Sequence, residues 1–150
     1  MGPIETLRRL DARDVGACAA LGLSLGWTAS EALWRSFLAL GEWLGVARED
    51  GALIGMVIAT RFDDALTMVA LMGVHPDHRR TGVGRRLMQR LHAESRGAVV
   101  CLYASPLGEK LYASLGYEVV GSSTRFGGPG FVSAVPSTAC LRPMREQDLA

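Results

Sequence analysis

The stretch Val74-His75-Pro76-Asp77-His78-Arg79-Arg80-Thr81-Gly82-Val83-Gly84 constrains the fold most, because it joins a continuous apolar run to an amphipathic one. Upstream, Leu66–Val74 is apolar at nearly every position, the pattern of a strand buried on both faces. Downstream, Gly84–Arg96 sets Leu87, Met88 and Leu91 on one helical face, with Arg85, Arg86, Gln89 and Arg90 largely on the other. Between them, Gly82 and Gly84 permit positive φ and let the backbone approach a ligand without interference from a Cβ. Successive N–H groups at a helix start lack intrahelical acceptors, so the turn forms a concave anion site aided by the helix dipole. Each hydrogen bond to a charged group is worth about 1.5–3 kcal/mol, so several together hold a pyrophosphate. Arg79, Arg80 and Arg85 add charge at the rim.

The rest of the chain supplies the frame. Ile4–Leu10 reads as a strand, and Asp11 with Asp14 three positions on reads as a helix start, opening a helix over Ala12–Leu25. Ser30 caps a second helix that carries Leu33, Trp34, Phe37 and Leu38 on one face and ends at Gly41. Strands follow at Trp43–Arg48 and Ala52–Arg61, joined by an Asp50-Gly51 hairpin turn, with another turn at Asp63-Asp64 before Leu66–Val74. After the amphipathic helix come a strand at Ala98–Ala104, a helix at Pro106–Leu115 stopped by Gly116, and a strand at Tyr117–Ser123. The order is strand, two helices, three strands, helix, strand, helix, strand: α/β, in the mixed α+β sense.

Composition narrows the function classes. A length of 150 residues suits one domain with a core. Sixteen basic against 15 acidic side chains give a net charge of +1, so no bulk field recruits nucleic acid or anionic membrane. The longest apolar runs are about half a membrane span, and no basic-then-apolar leader opens the chain, so a cytoplasmic location is expected. Cys18, Cys101 and Cys140 are odd in number and widely spaced, which suits buried thiols in a reducing compartment.

Three phosphate-binding patterns compete for the glycine turn. A P-loop needs Gly-x-x-x-x-Gly-Lys-Ser/Thr, which is absent, and a dinucleotide fingerprint needs a third glycine where Leu87 stands. The pattern Arg-x-x-Gly-x-Gly fits Arg79, Gly82 and Gly84. Here the chain resembles the GNAT acetyltransferases, whose acetyl-CoA motif is Gln/Arg-x-x-Gly-x-Gly/Ala after a strand ending Val-x-Pro, as at Val74 and Pro76. Leu111-Tyr112-Ala113-Ser114-Leu115-Gly116-Tyr117 is similar to a second motif of that family, Leu-Tyr-x-x-x-Gly-Phe/Tyr.

The resemblance implies a GNAT fold: a central mixed, mostly antiparallel, twisted sheet with splayed central strands, flanked by helices. It implies acetyl-CoA as cosubstrate and direct transfer of the acetyl group to an amine through a tetrahedral intermediate, with no metal. Met72, Gly73 and Val74 would meet the pantetheine arm and thioester carbonyl through main-chain atoms. Arg79, Arg80, Thr81, Gly82, Val83, Gly84 and Arg85 would hold the diphosphate. Tyr112 would protonate the departing thiolate. Ser105 stands where the family often has Asn, and its shorter reach weakens that carry-over. His75 and His78 lie near enough in sequence to be bases, with a solvated loop role as the blander reading and a water relay as another. A non-catalytic acyl-CoA sensor or structural module would keep the same loop, so both readings stay open.

Two other patterns compete with this reading. Gly22-Leu23-Ser24-Leu25-Gly26 spells a nucleophile elbow, but that motif requires a strand-to-helix turn and these residues read as helix. His75 and His78 lack further ligands for a metal. Trp27, Trp34, Phe37 and Trp43 read either as an apolar acceptor pocket or as core, and the acceptor amine itself cannot be named. The domain is expected to span residues 1–150 with a core at about 4–126. Leu141–Leu149 parallels Leu7–Val15, so residues 127–150 read as a linker leading either to the domain's own last strand, exchanged with a second subunit in a homodimer, or to the start of a second repeat.

Overall fold

A computed structural model describes residues 5–124 and Arg145. Contacts divide the chain after Val120, and the architecture below belongs to the first unit. Five strands, β1 (Glu5–Arg9), β2 (Glu42–Arg48), β3 (Leu53–Phe62), β4 (Leu66–Val74) and β5 (Val99–Leu102), form one sheet in the order β1-β2-β3-β4-β5. The first four pair antiparallel, and β4 pairs parallel with β5. The helices are α1 (Val15–Ser24), α2 (Glu31–Leu40), α3 (Val83–Glu94) and the short α4 (Glu109–Ala113).

Two apolar clusters cover the two faces of this sheet. On one, Trp34, Trp43, Cys18, Leu21, Met56 and Ile58 pack beneath α1 and α2; on the other, Val57, Val69, Val83, Leu87, Met88 and Leu91 pack beneath α3. The α3 stripe therefore does what its spacing predicts. The acceptor-pocket reading of the aromatics is corrected for two of them: Trp34 and Trp43 are 1% and 3% exposed, with ring centroids 6.0 Å apart in an edge-on contact. The Trp43 indole N–H donates to the Phe37 carbonyl at 3.2 Å, so even its polar edge is used internally. Trp27 and Phe37 remain half-buried.

Local capping sets the helix starts. Asp11 accepts from the Arg13 N–H at 2.9 Å while Asp14 accepts from the Asp11 N–H at 2.9 Å, a reciprocal box at the head of a 3-10 turn that runs into α1. Arg8 clamps the Asp14 carboxylate through both oxygens, at 2.9 and 2.6 Å, and these bonds hold its pKa below the ordinary 3.8. A carboxylate with a lowered folded pKa contributes stability above the unfolded pKa and loses it as pH falls through the folded one. Asp14→Asn is therefore expected to lower stability by roughly 1 kcal/mol at neutral pH, after discounting for the exposure of Arg8. The gap should close as pH drops below about 4; denaturant melts of both proteins at two pH values check this. Ser30 caps α2 as its sequence suggests, accepting from the Leu33 N–H at 3.2 Å.

Four sequence expectations need revision. The strand expected over Ala98–Ala104 is only Val99–Leu102, and the helix expected over Pro106–Leu115 is helical only at Glu109–Ala113. The strand expected over Tyr117–Ser123 has no ladder partner among the described residues, and Val119 and Val120 are 93% and 98% exposed. Apolar β-branched residues favour a strand only where another strand supplies hydrogen bonds, and none does so among the described residues. Burial of β4 on both faces also fails locally: Ala70 is exposed, and Leu71 and Met72 are half-buried. The readings placed on residues 127–150, including Cys140 and the terminal strand or repeat, lie outside the described residues apart from the exposed Arg145. Among the described residues, no helix is long and apolar enough to cross a membrane.

Candidate functional site

β4 carries two irregularities that open the sheet where the glycine turn begins. Its parallel pairing with β5 runs from Leu66↔Val99 to Val69↔Leu102 and stops, so beyond Val69 the strand has no neighbour on that side among the described residues. Its pairing with β3 also slips: Ala59 faces Val69, Ile58 faces Leu71, and Ala70 is left over as a bulge. From Ala70 to Val74, main-chain groups on the β5 side thus have no strand partner among the described residues, while the Val74 carbonyl accepts from Arg79 Nε at 3.5 Å. The splay is the one the family resemblance implied, whereas the bulge could not be read in advance, because a bulge alanine looks like any other residue in an apolar run.

Packing on the two faces of this open segment differs. Met72 and Val74 face α3, and Gly84 sits so close that an added Cβ would lie 2.8 Å from the Met72 methyl and 3.6 Å from a Val74 methyl. Gly73 points to the opposite face, where an added Cβ would overlap Leu25 and reach the Trp27 ring at 3.0 Å. Each glycine therefore marks a close approach: α3 onto β4 at Gly84, and the α1–α2 connection onto β4 at Gly73.

The turn itself has the conformation that its glycines allow. After Val74 a 3-10 turn spans Pro76–His78, the His75 N–H donates to the Ile54 carbonyl at 2.8 Å, and the Thr81 hydroxyl donates to the His78 carbonyl at 2.6 Å. Arg80 has φ 62° and Gly82 has φ 91°, so the chain curls left-handed twice before α3. The first helical bond runs from the Arg86 N–H to the Gly82 carbonyl at 3.0 Å. The N–H groups of Val83, Gly84 and Arg85 consequently have no carbonyl of their own helix to donate to, which is the anion cradle expected from the sequence. Arg79 and Arg80 are exposed beside it, while Arg85 donates to the Ser114 hydroxyl at 2.8 Å and so bridges α3 to the end of α4. Arg86 is committed elsewhere, pairing with Glu5 at 2.7 Å.

The remaining predicted residues are more scattered. Tyr112 lies in the apolar cluster beneath α3, with its ring edge-on to Tyr117 at 5.6 Å, and burial pushes its pKa above the ordinary 10. Tyr117 hydrogen-bonds His92 Nε2 at 2.7 Å and is pushed up to about 12, chiefly by burial, then by Tyr112 and Cys101. Nothing in the sequence pointed to this His92–Tyr117 pair. The Ser105 side chain is exposed, and its carbonyl accepts from the Gly108 and Glu109 N–H groups at 2.8 and 3.2 Å. His75 Nδ1 accepts from the Asp77 N–H at 3.3 Å, and the His75 and His78 rings stand 5.9 Å apart. Ser24 is the last residue of α1 and, although exposed, donates its hydroxyl to the Leu21 carbonyl at 2.7 Å from a helix and not from a strand-to-helix turn, so the elbow-like spelling lacks the geometry of that motif.

This geometry agrees with what the chain is similar to. Residues 36–119, more than half the chain, match the family described as an acetyltransferase (GNAT) domain. Among solved structures, the ribosomal-protein-alanine N-acetyltransferase from Brucella melitensis biovar Abortus 2308 is 28% identical, with 83% of this chain and all of that one covered and a TM-score of 0.66. An acetyltransferase from Trypanosoma brucei shares the fold at 20% identity, covering 83% of this chain and 99% of that one, with a TM-score of 0.67. The aminoglycoside N-acetyltransferase AAC(6')-Iy, solved in complex with CoA, shares it at 16% identity over 85% and 97% of the two chains, with a TM-score of 0.66. A search of curated protein sequences finds no match.

Proposed function

We infer the reaction from one premise: the chain belongs to the GNAT acetyltransferase family. The activity of the chain is acyl transfer. The reading proposed is that it moves an acetyl group from acetyl-CoA directly to an amine. The observation that carries this is the open edge of β4 ending in the glycine turn, since an extended amide chain with a diphosphate at one end fits both.

In this reading the N–H groups of Val83, Gly84 and Arg85, with Arg79 and Arg80 at the rim, hold the diphosphate, and Thr81 and Gly82 shape the turn. Main-chain groups of Met72, Gly73 and Val74 align the pantetheine arm. An N–H on this edge stabilises negative charge as it develops on the thioester oxygen when the amine attacks. Leu25 and Trp27 wall the other side of Gly73, so the acceptor approaches past an apolar surface. The free thiols of Cys18 and Cys101 support a cytoplasmic setting.

Tyr112 is the proposed proton donor to the departing thiolate. Its raised pKa keeps it protonated at neutral pH but makes transfer to a thiol of pKa near 8.5 uphill by at least about 2 kcal/mol. That same burial favours the second reading, a GNAT-like protein that binds acyl-CoA without turning it over. Free-thiol release from acetyl-CoA against primary amines of graded size decides between them. Turnover with at least one amine is expected, and Tyr112→Phe should lower kcat by about tenfold to a hundredfold with CoA affinity within about threefold. Tight CoA binding with no amine turned over establishes the sensor; wild-type kcat in the variant removes Tyr112 from the mechanism.

A further inference from the structure

Tyr112 is held in place by a chain of contacts that ends on α3. The helix that carries it, α4, has five residues and is too short to persist by itself. It is docked beside the glycine turn: a Cβ added at Gly84 would lie 3.2 Å from a Leu111 methyl, and Arg85 donates to the Ser114 hydroxyl at 2.8 Å. Its far end is fixed by backbone. Gly116 takes φ 87°, its N–H donates to the Ala113 carbonyl at 3.1 Å, and the Tyr117 N–H donates to the Tyr112 carbonyl at 3.1 Å. These are the paired bonds of a Schellman cap, which folds the residue after the glycine back over the residue whose carbonyl it takes. Tyr117 accordingly meets Tyr112 ring to ring, edge-on at 5.6 Å.

The Tyr112 hydroxyl has no hydrogen-bond partner among the described residues and is not sealed from solvent. It is therefore free to meet a ligand, and its aim depends on how its ring is packed. On one side the Gly108 backbone approaches so closely that an added Cβ would lie 2.7 Å from Tyr112 Cε2. On another lies the Tyr117 ring, which is itself anchored: its hydroxyl bonds His92 Nε2 at 2.7 Å, with the two rings 5.4 Å apart. The Tyr117 phenol, pushed up to about 12 chiefly by burial, stays protonated at neutral pH and donates to a neutral imidazole. A phenol oxygen also accepts, so an imidazolium keeps the bond. His92 stands on the third turn of α3, whose first turn forms the anion cradle.

We propose that Tyr117 and His92 are positioning residues for the proton transfer: His92 anchors Tyr117, and Tyr117 holds the Tyr112 hydroxyl at the sulfur of the departing thiolate. The inference rests on the reading of Tyr112 as proton donor. As the carbon–sulfur bond breaks, the proton moves from the Tyr112 oxygen to sulfur. The attacking amine gives its surplus proton to solvent, and the phenolate recovers one from solvent. Neither Tyr117 nor His92 touches the reacting atoms. A misplacement of about 1 Å in a reacting group costs on the order of a hundredfold in rate, so a weakened anchor shows in kcat. α3 then has two tasks, gripping the diphosphate at its first turn and aiming the acid from its third.

Steady-state kinetics of the full chain test this, with acetyl-CoA and the best primary amine of a graded panel, each variant assayed below its own Tm. Tyr117→Phe deletes the bond to His92 and keeps the ring; it is expected to lower kcat by about three- to tenfold, with KM for acetyl-CoA within about threefold. His92→Ala should do the same, and His92→Gln, whose amide also bonds a phenol, should recover most of the rate. The decisive readout is non-additivity. Combined with Tyr112→Phe, Tyr117→Phe should leave kcat within about twofold of Tyr112→Phe alone, because nothing remains to be positioned. A merely structural role lowers kcat by the same factor in both backgrounds or only raises KM, and either result overturns the proposal. So does wild-type kcat in Tyr117→Phe and His92→Ala beside a slow Tyr112→Phe. Wild-type kcat in Tyr112→Phe, or no amine turned over, instead removes the proton-donor premise and the proposal with it.

Discussion

Trp34→Ala is expected to cost about 3–5 kcal/mol of folding stability, the range for truncating a fully buried large aromatic. Trp34 is 1% exposed and touches three other rings, stacking on Trp27 at 6.5 Å and meeting Phe37 and Trp43 edge-on at 5.9 and 6.0 Å. It also lies against Gly22 of α1, where an added Cβ would come within 2.6 Å of the indole. Removing it therefore leaves a void between α1, α2 and the sheet that neighbours held by other contacts cannot fill. With a typical domain stability of 5–15 kcal/mol, the variant should melt on the order of 10–20 °C lower. Denaturant melts give the free energy and a thermal scan gives the shift. A loss under 1 kcal/mol combined with a large rise in KM for the amine would show that the ring serves the acceptor instead of the core.

Gly82→Val is expected to raise the Kd of acetyl-CoA by at least about a hundredfold. At φ 91° a β-branched residue is strained by about 1–2 kcal/mol or more, and the turn relieves this strain by rotating toward negative φ. That rotation re-aims the N–H groups of Val83 and Gly84. Losing even two charge-assisted bonds of about 1.5–3 kcal/mol each accounts for the expected factor. No atom lies within 4 Å of a Cβ placed there, so the core is undisturbed and the fold should persist. Gly51→Val provides the control: Gly51 has φ 84° in the β2–β3 turn and is also unobstructed. It should lose similar stability and keep its affinity. If both variants bind acetyl-CoA equally well, the grip of the glycine turn on the carrier is refuted.

The legible parts of the sequence were those written in local chemistry. Asp11, Asp14 and Ser30 cap through their own side chains, Gly82 takes the positive φ reserved for it, and Leu87, Met88 and Leu91 fall on one face because helical spacing requires it. Pattern failed where the outcome depended on a distant partner. Val119 and Val120 have the composition of a strand and no strand beside them among the described residues, and Ser105 stands at the family's Asn position with its carbonyl taken up by the Gly108 and Glu109 N–H groups. The cluster of Arg9, Glu42, Arg61 and Glu94 was invisible for the same reason, since its members stand far apart in the chain and meet only once the sheet and α3 are assembled.

The left-over Ala70 has a consequence for how this protein can change. Val69 and Met72 share the α3 face, whereas Leu71 lies on the other, an arrangement that strict alternation forbids and one surplus residue restores. Excising Ala70 would set Leu71 directly after Val69, giving a regular ladder with β3 in which Met72 and Val74 still face α3 and Gly73 still faces Trp27. The strand can thus absorb the loss of one residue at the bulge, whereas a further deletion between Leu71 and Val74 would turn every residue beyond it to the other face.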